Sequence, residues 1–120
     1  MFAAWRDIAA GVHAYGAKFF IQLTPGLGRV GNPQCLVNSL KFPVSSSLNP
    51  NFYMSQVPCL PLSGRKLNHI IKNAGQAAAD AKAANLDGVY LHGHEGYLLE
   101  QMTNPAFNRR ALGHFSNWQA

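Results

Sequence analysis

Residues 63–92 read SGRKLNHIIKNAGQAAADAKAANLDGVYLH. Within them Leu67, Ile70, Ile71, Ala74, Ala77, Ala78, Ala81 and Ala84 recur at three- and four-residue steps, which lines them along one side of a helix. The alanines favour helix strongly, and their small side chains let it lie close to a sheet. Ser63 stands at the N-cap position. Arg65 and Lys66 follow in the first turn, where the helix dipole prefers acids, so one local conflict is built in. Asn85 is a natural stop, and Leu86–His92 reads as a buried strand.

The same grammar occurs upstream. Phe2, Trp5, Ile8, Ala9 and Val12 share one helical face, and Gly16 is placed to end that helix. Ala17–Leu23 is an apolar, aromatic-rich run bounded by Gly16 and Pro25-Gly26, which reads as a second buried strand with polar Gln22 at its end. Between them, residues 24–63 hold all but one of the seven prolines and read as one long irregular loop. Downstream, Glu95–Met102 predicts a short helix interrupted at Asn104-Pro105, and Phe107–Ala120 predicts the start of another. Helix, strand, loop, helix, strand is the order of a parallel α/β protein. Two strands cannot make a stable parallel sheet, because both faces and both edges need cover. A closed barrel of eight such units takes about 250 residues. The 120 residues here supply roughly two units, so the expectation is a piece of a larger α/β fold.

Composition narrows the function classes. Charged residues are 12% of the chain, against a usual share of about 25%, which argues against disorder and against a charged coiled coil. No apolar run approaches the roughly 20 residues of a membrane span. Met1–Arg6 lacks the features of a signal peptide, so the expected location is the cytoplasm. Cys35 and Cys59 are too few for a disulfide framework and too far apart for a metal knuckle. The net charge is +5, and no acid lies between Asp7 and Asp80. The basic residues in that interval are scattered, without the stripe or aromatic interleaving of a nucleic-acid module. A phosphorylated small molecule suits such a surface better.

Three constellations carry chemistry. Gly26-Leu27-Gly28-Arg29-Val30-Gly31 matches GxGxxG literally, but Asn32-Pro33 follows, so no helix opens there toward a pyrophosphate. It reads as a flexible turn, or as one that lets Arg29 reach a ligand. His92-Gly93-His94-Glu95 puts two imidazoles two residues apart. They could chelate a metal, cap a strand end, or form a substrate site. In a substrate site His92 would donate to a developing enolate oxygen and Tyr97 would transfer a proton. Gln22 and His92 end two consecutive strands, and ligands of parallel α/β folds bind at that end. An amide offers a donor and an acceptor, which suits the edge of a heteroaromatic ring such as flavin; it equally suits loop backbone groups.

The run His13-Ala14-Tyr15-Gly16 through Gln22-Leu23, with Gly28-Arg29, resembles the H-x-x-G…QL…GR segment of the old yellow enzyme family. Residues 78–108, AADAKAANLDGVYLHGHEGYLLEQMTNPAFN, resemble a second segment of the same family. Glu95-Gly96-Tyr97 is most similar to the branch of enoate reductases, 2,4-dienoyl-CoA reductases and bile-acid-operon flavoenzymes. The resemblance implies that residues 1–120 form one partial flavin-binding domain of a (β/α)8 TIM barrel, from about the second helix through the fourth strand and its loop. It implies FMN at the barrel mouth and NAD(P)H as reductant. It assigns Gln22 to the flavin ring, His92 to substrate anchoring and catalysis, Tyr97 to proton delivery, and Glu95 to the second substrate-facing position; the Gly26–Gly31 turn adds Arg29 as a substrate-binding residue, and no metal is expected. FAD and an iron–sulfur cluster belong to segments of larger relatives that these residues do not match. Tyr90 departs from the family's usual glutamate, and Arg110–Ser116 departs from its R-T-D-x-Y-G-G. The expected activity is reduction of an activated alkene of enoate, dienoyl or enone type. The partners expected are that small molecule and the remaining barrel units, with no nucleic acid and no membrane. Two other readings stand beside it: a catalytically inactive barrel piece that self-associates, and a His92/His94 metal-binding module.

Overall fold

The computed structural model describes residues 2–34, 41–111 and 115. In chain order they form α1 (Phe2–His13), β1 (Phe20–Leu23), a 3₁₀ turn (Gly28–Val30), β2 (Val44–Ser45), β3 (Asn49–Pro50), β4 (Pro58–Pro61), α2 (Gly64–Ala83), β5 (Gly88–Leu91) and α3 (Leu98–Thr103). The chain divides into two compact units. One comprises the residues up to Pro25 with His69–His92, and the other Gly26–Asn68 with the residues from Gly93 onward.

In the first unit β1 and β5 pair in parallel, with Phe20 opposite Gly88, Ile21 opposite Val89, Gln22 opposite Tyr90 and Leu23 opposite Leu91. The ladder runs one bond further at each end, from Asp87 N–H to Phe19 O at 2.9 Å and from His92 N–H to Leu23 O at 2.9 Å. Side chains alternate along a strand. Ile21 and Val89, with Phe19, pack against a buried cluster of Ala9, Ala81, Ala84 and Leu86 supplied by α1, α2 and the turn after α2. The opposite parity places Phe20, Gln22 and Tyr90 on the other face, where Phe20 is 55% and Tyr90 54% exposed. Of the apolar stripe expected on α1, Ala9 is fully buried, whereas Trp5 and Ile8 stay 38% and 48% exposed.

Helix ends follow the sequence cues. Ser63 Oγ accepts the Lys66 N–H at 3.3 Å. Asn85 adopts φ 63°. Its N–H bonds Lys82 O at 3.0 Å while Leu86 N–H bonds Ala81 O at 3.1 Å, the paired closure of a Schellman motif. Arg6 of α1 donates Nη2 to Ala83 O at 3.2 Å, which places a cation at the negative end of the α2 dipole. At the start of the strands, Asp87 accepts from Lys18 Nζ at 2.9 Å and from Phe19 N–H at 2.8 Å, and lies 2.6 Å from His13 Nε2. Those bonds, the backbone one foremost, then the Lys18 ammonium and His13, hold its carboxyl well below the ordinary value of 3.8.

The second unit corrects the reading of residues 24–63 as uniformly irregular. Its described residues contain a three-stranded sheet in the order β2–β4–β3, β2 parallel and β3 antiparallel to β4. The prolines sit where no ladder N–H is required: Pro50 pairs with Pro58 at one end of the antiparallel register. No apolar alternation announces these strands, because polar side chains fill the interior beside them. Gln101, Asn51, Asn108, Ser45 and Ser46 are all at most 1% exposed. Gln101 is the hub. Its Oε1 accepts from Ser45 Oγ at 2.7 Å and from Arg29 N–H at 3.2 Å, and its Nε2 donates to Gly96 O. Gly28, at φ +59°, lies against that amide, and a Cβ there would stand 2.3 Å from Gln101 Nε2.

The short helix begins at Leu98, three residues later than expected, because Glu95 and Gly96 take φ of 59° and 74° and cannot belong to a right-handed helix. Residues 107–111 and 115 are not helical; the rest of the tail helix expected at Phe107–Ala120 lies outside the described residues, as does Cys35.

Two outcomes follow. Gln101→Leu leaves the Ser45 hydroxyl, the Arg29 N–H and the Gly96 carbonyl without this partner, and should lower stability by about 3 kcal/mol in urea unfolding. Asp87 stabilises the fold in its ionised form, so its contribution is complete above its ordinary value of 3.8 and is lost as pH falls below it. Urea midpoints should therefore decline through that acid range in the parent chain. Asp87→Asn should be less stable at neutral pH and show a flatter acid decline.

Candidate functional site

The register that sets Gln22 opposite Tyr90 also sets the site. His92 lies two residues past Tyr90, hence on the same face of the extended chain. The three side chains are joined. Tyr90 donates its hydroxyl to Gln22 Oε1 at 2.7 Å. Gln22 donates from Nε2 to His92 Nδ1. His92 is 9% exposed, whereas Gln22 is exposed. An imidazole that accepts at Nδ1 carries its proton, when neutral, at Nε2. Gln22 and His92, predicted from the sequence to meet at one end of the sheet, do meet there. The sequence marks Tyr90 only as a departure from a family pattern. The signal for it in the sequence is its parity with His92, two residues along the same predicted strand.

The remaining predicted residues lie in the other unit. Tyr97 caps α3 with extended backbone (φ −72°, ψ 172°) and is half-buried. Glu100 Oε2 accepts the Gly96 N–H at 2.7 Å, so a carboxylate sits at the positive end of α3. Glu95 is exposed, with Oε1 3.8 Å from His94 Nδ1. Arg29 follows Gly28 in the 3₁₀ turn, and its Nε donates to Pro50 O at 3.1 Å. Its guanidinium carbon lies 4.9 Å from the centre of the Phe107 ring and 6.0 Å from that of Phe52. The turn expected at Gly26–Gly31 is thus a single 3₁₀ turn, with no helix dipole aimed at a phosphate.

Comparison with known proteins decides the family. The pattern of the NADH:flavin oxidoreductase / NADH oxidase family matches residues 2–112. The chain belongs to this family. It is 42% identical over 106 residues to a cinnamate reductase of Clostridium sporogenes, an alignment covering 88% of this chain and 16% of that protein. It is 37% identical over 108 residues to an NADH oxidase of Thermoanaerobacter brockii, covering 90% of this chain and again 16% of the relative. A solved structure of TcOYE with pHBA superimposes with a TM-score of 0.76 at 27% identity, over 96% of this chain and 36% of that one. The chain therefore spans about a sixth of those two relatives and about a third of that structure. Its fold is that of a piece of a TIM barrel, and β1 and β5 are neighbouring barrel strands. On that fold the face carrying Phe20, Gln22 and Tyr90 is the inner one. No helix among the described residues is long and apolar enough to cross a membrane.

Proposed function

We propose that this chain supplies the flavin-ring and substrate-oxygen contacts of an FMN-dependent NAD(P)H oxidoreductase that reduces activated C=C bonds. The observation that carries the reading is the hydrogen-bonded pair of Gln22 and His92 at the ends of two neighbouring parallel strands. The donor set fits a flavin. After bonding His92 and Tyr90, the Gln22 amide retains one N–H and one lone pair, which match the alternating carbonyl and N–H groups of a pyrimidine edge. When bound, FMN supplies a hydride, drawn from NAD(P)H, to the β-carbon of an enoate, dienoyl or enone substrate.

The chain's own residues then act on charge and protons. His92, as the Nε2–H tautomer, donates to the substrate carbonyl oxygen as negative charge develops there. The Tyr97 hydroxyl gives its proton to the α-carbon and regains one from water. An ionised Glu95 accepts only, so it orients a partner group rather than the oxyanion. Arg29, propped by Pro50 and Phe107, offers its remaining guanidinium N–H groups to an anionic end of the substrate. The reading requires no metal.

In a complete barrel carrying these residues, Tyr97→Phe should slow flavin reoxidation by an alkene about 100-fold while reduction by NAD(P)H stays nearly unchanged. Equal rates in both half-reactions would remove Tyr97 from the mechanism. In the same barrel Gln22→Leu should weaken FMN binding about tenfold, read by flavin fluorescence. A colourless barrel that binds no FMN would overturn the assignment.

The uncovered sheet face, with Phe20 and Tyr90 more than half exposed, favours a second reading for the chain by itself. In a barrel the remaining units cover that face; where another copy covers it instead, the chain is a non-catalytic, self-associating piece. Sedimentation as flavin-free oligomers would support that reading.

A further inference from the structure

We propose that Tyr90 is a positioning residue which, acting through the Gln22 amide, holds His92 as the tautomer protonated at Nε2. The inference deepens the reading of His92 as an oxygen-binding donor and rests on it.

An amide between a phenol and an imidazole has two self-consistent orientations. In one, Oε1 accepts from the phenol and Nε2 donates to Nδ1, as here. In the other the amide is turned over: Nε2 donates to the phenol oxygen, and Oε1 accepts from a protonated Nδ1. The two arrangements demand opposite tautomers of His92. The phenol decides between them, because its oxygen lone pair is delocalised into the ring and the hydroxyl donates far better than it accepts. Tyr90 therefore draws Oε1 toward itself and presents Nε2 to the imidazole. The parallel register makes this possible by seating Gln22 and Tyr90 directly opposite each other on one face.

A side chain at position 90 that only accepts should reverse the outcome. A carboxylate would draw the amide Nε2, turn Oε1 toward His92, and require a proton on Nδ1. A residue without a hydroxyl should leave the amide unbiased. The identity of residue 90 thus selects which ring nitrogen carries the proton.

The test is nitrogen NMR of the full chain, with ¹⁵N-labelled imidazoles, at about pH 8.5, where an ordinary imidazole is neutral. His92→Gln assigns the resonances. In the parent, Nδ1 should appear as an unprotonated, pyridine-type nitrogen and Nε2 as protonated. Tyr90→Phe should raise the Nδ1-protonated form from undetectable to roughly a fifth of the population, and Tyr90→Glu should make it the major form. A parent protonated at Nδ1, or tautomer populations identical in all three chains, would overturn the proposal. If Tyr90→Glu loses the backbone fingerprint of the folded chain, Gln22→Leu replaces it. Removing the amide should give the same mixture as Tyr90→Phe, and an unchanged His92 would overturn the proposal. The measurement needs no flavin. Failure of a complete barrel to bind FMN would sink the functional reading and leave the tautomer result standing, whereas unchanged tautomers beside normal FMN binding would sink the role of Tyr90 alone.

Discussion

The parallel pairing of β1 with β5 is the constraint on which the candidate site depends. A slip of one residue would carry Gln22 to the helix-covered face and bring Ile21 out in its place. Several contacts oppose such a slip. Phe19 O and Asp87 N–H open the ladder, and Leu23 O and His92 N–H close it. The Asp87 carboxylate ties the start of β5 to Lys18 and to the Phe19 N–H just ahead of β1. Gly88 leaves room for Phe20 directly opposite, since a Cβ at that position would meet the Phe20 ring at 2.7 Å. Contacts at the bottom of the two strands therefore fix which side chains stand together at the top.

Much of the first unit was legible because its elements obey local rules. The Ala-rich stripe, Ser63 and Asn85 each specify one feature of α2, and each feature is present. The strand positions followed from apolar runs bounded by glycine and proline. The apolar stripes were less reliable as guides to burial: Ile71 belongs to the expected stripe of α2 and is 57% exposed. Periodicity reports which face can be covered, while coverage depends on how wide the neighbouring sheet is.

The second unit was illegible for a physical reason. Its strands are two to four residues long, two of the three end in prolines, and all lean on buried amides and hydroxyls. A polar interior has no periodic signature, because its residues are chosen for hydrogen-bond geometry and not for apolar area. Gln101 could have been suspected from its place between Leu98 and Met102 on a short helix, where an apolar residue would ordinarily pack. At the candidate site the polar strand end at Gln22 and the histidine at the end of the next strand were visible in advance. What the sequence could not display was the chain of bonds through Tyr90, since pairing across strands appears only once the register is known.

The buried amides of the second unit also bear on how its stability varies with temperature. The heat-capacity increase on unfolding comes from exposing apolar surface and is reduced by exposing polar surface. A unit whose largest fully buried side chains are Gln101, Asn51 and Asn108 exposes that polar surface together with its buried Leu62, Leu67 and Leu98. The amides offset part of the heat-capacity increase that the leucines bring, and so flatten the temperature dependence of stability below what an all-apolar interior of that size would give.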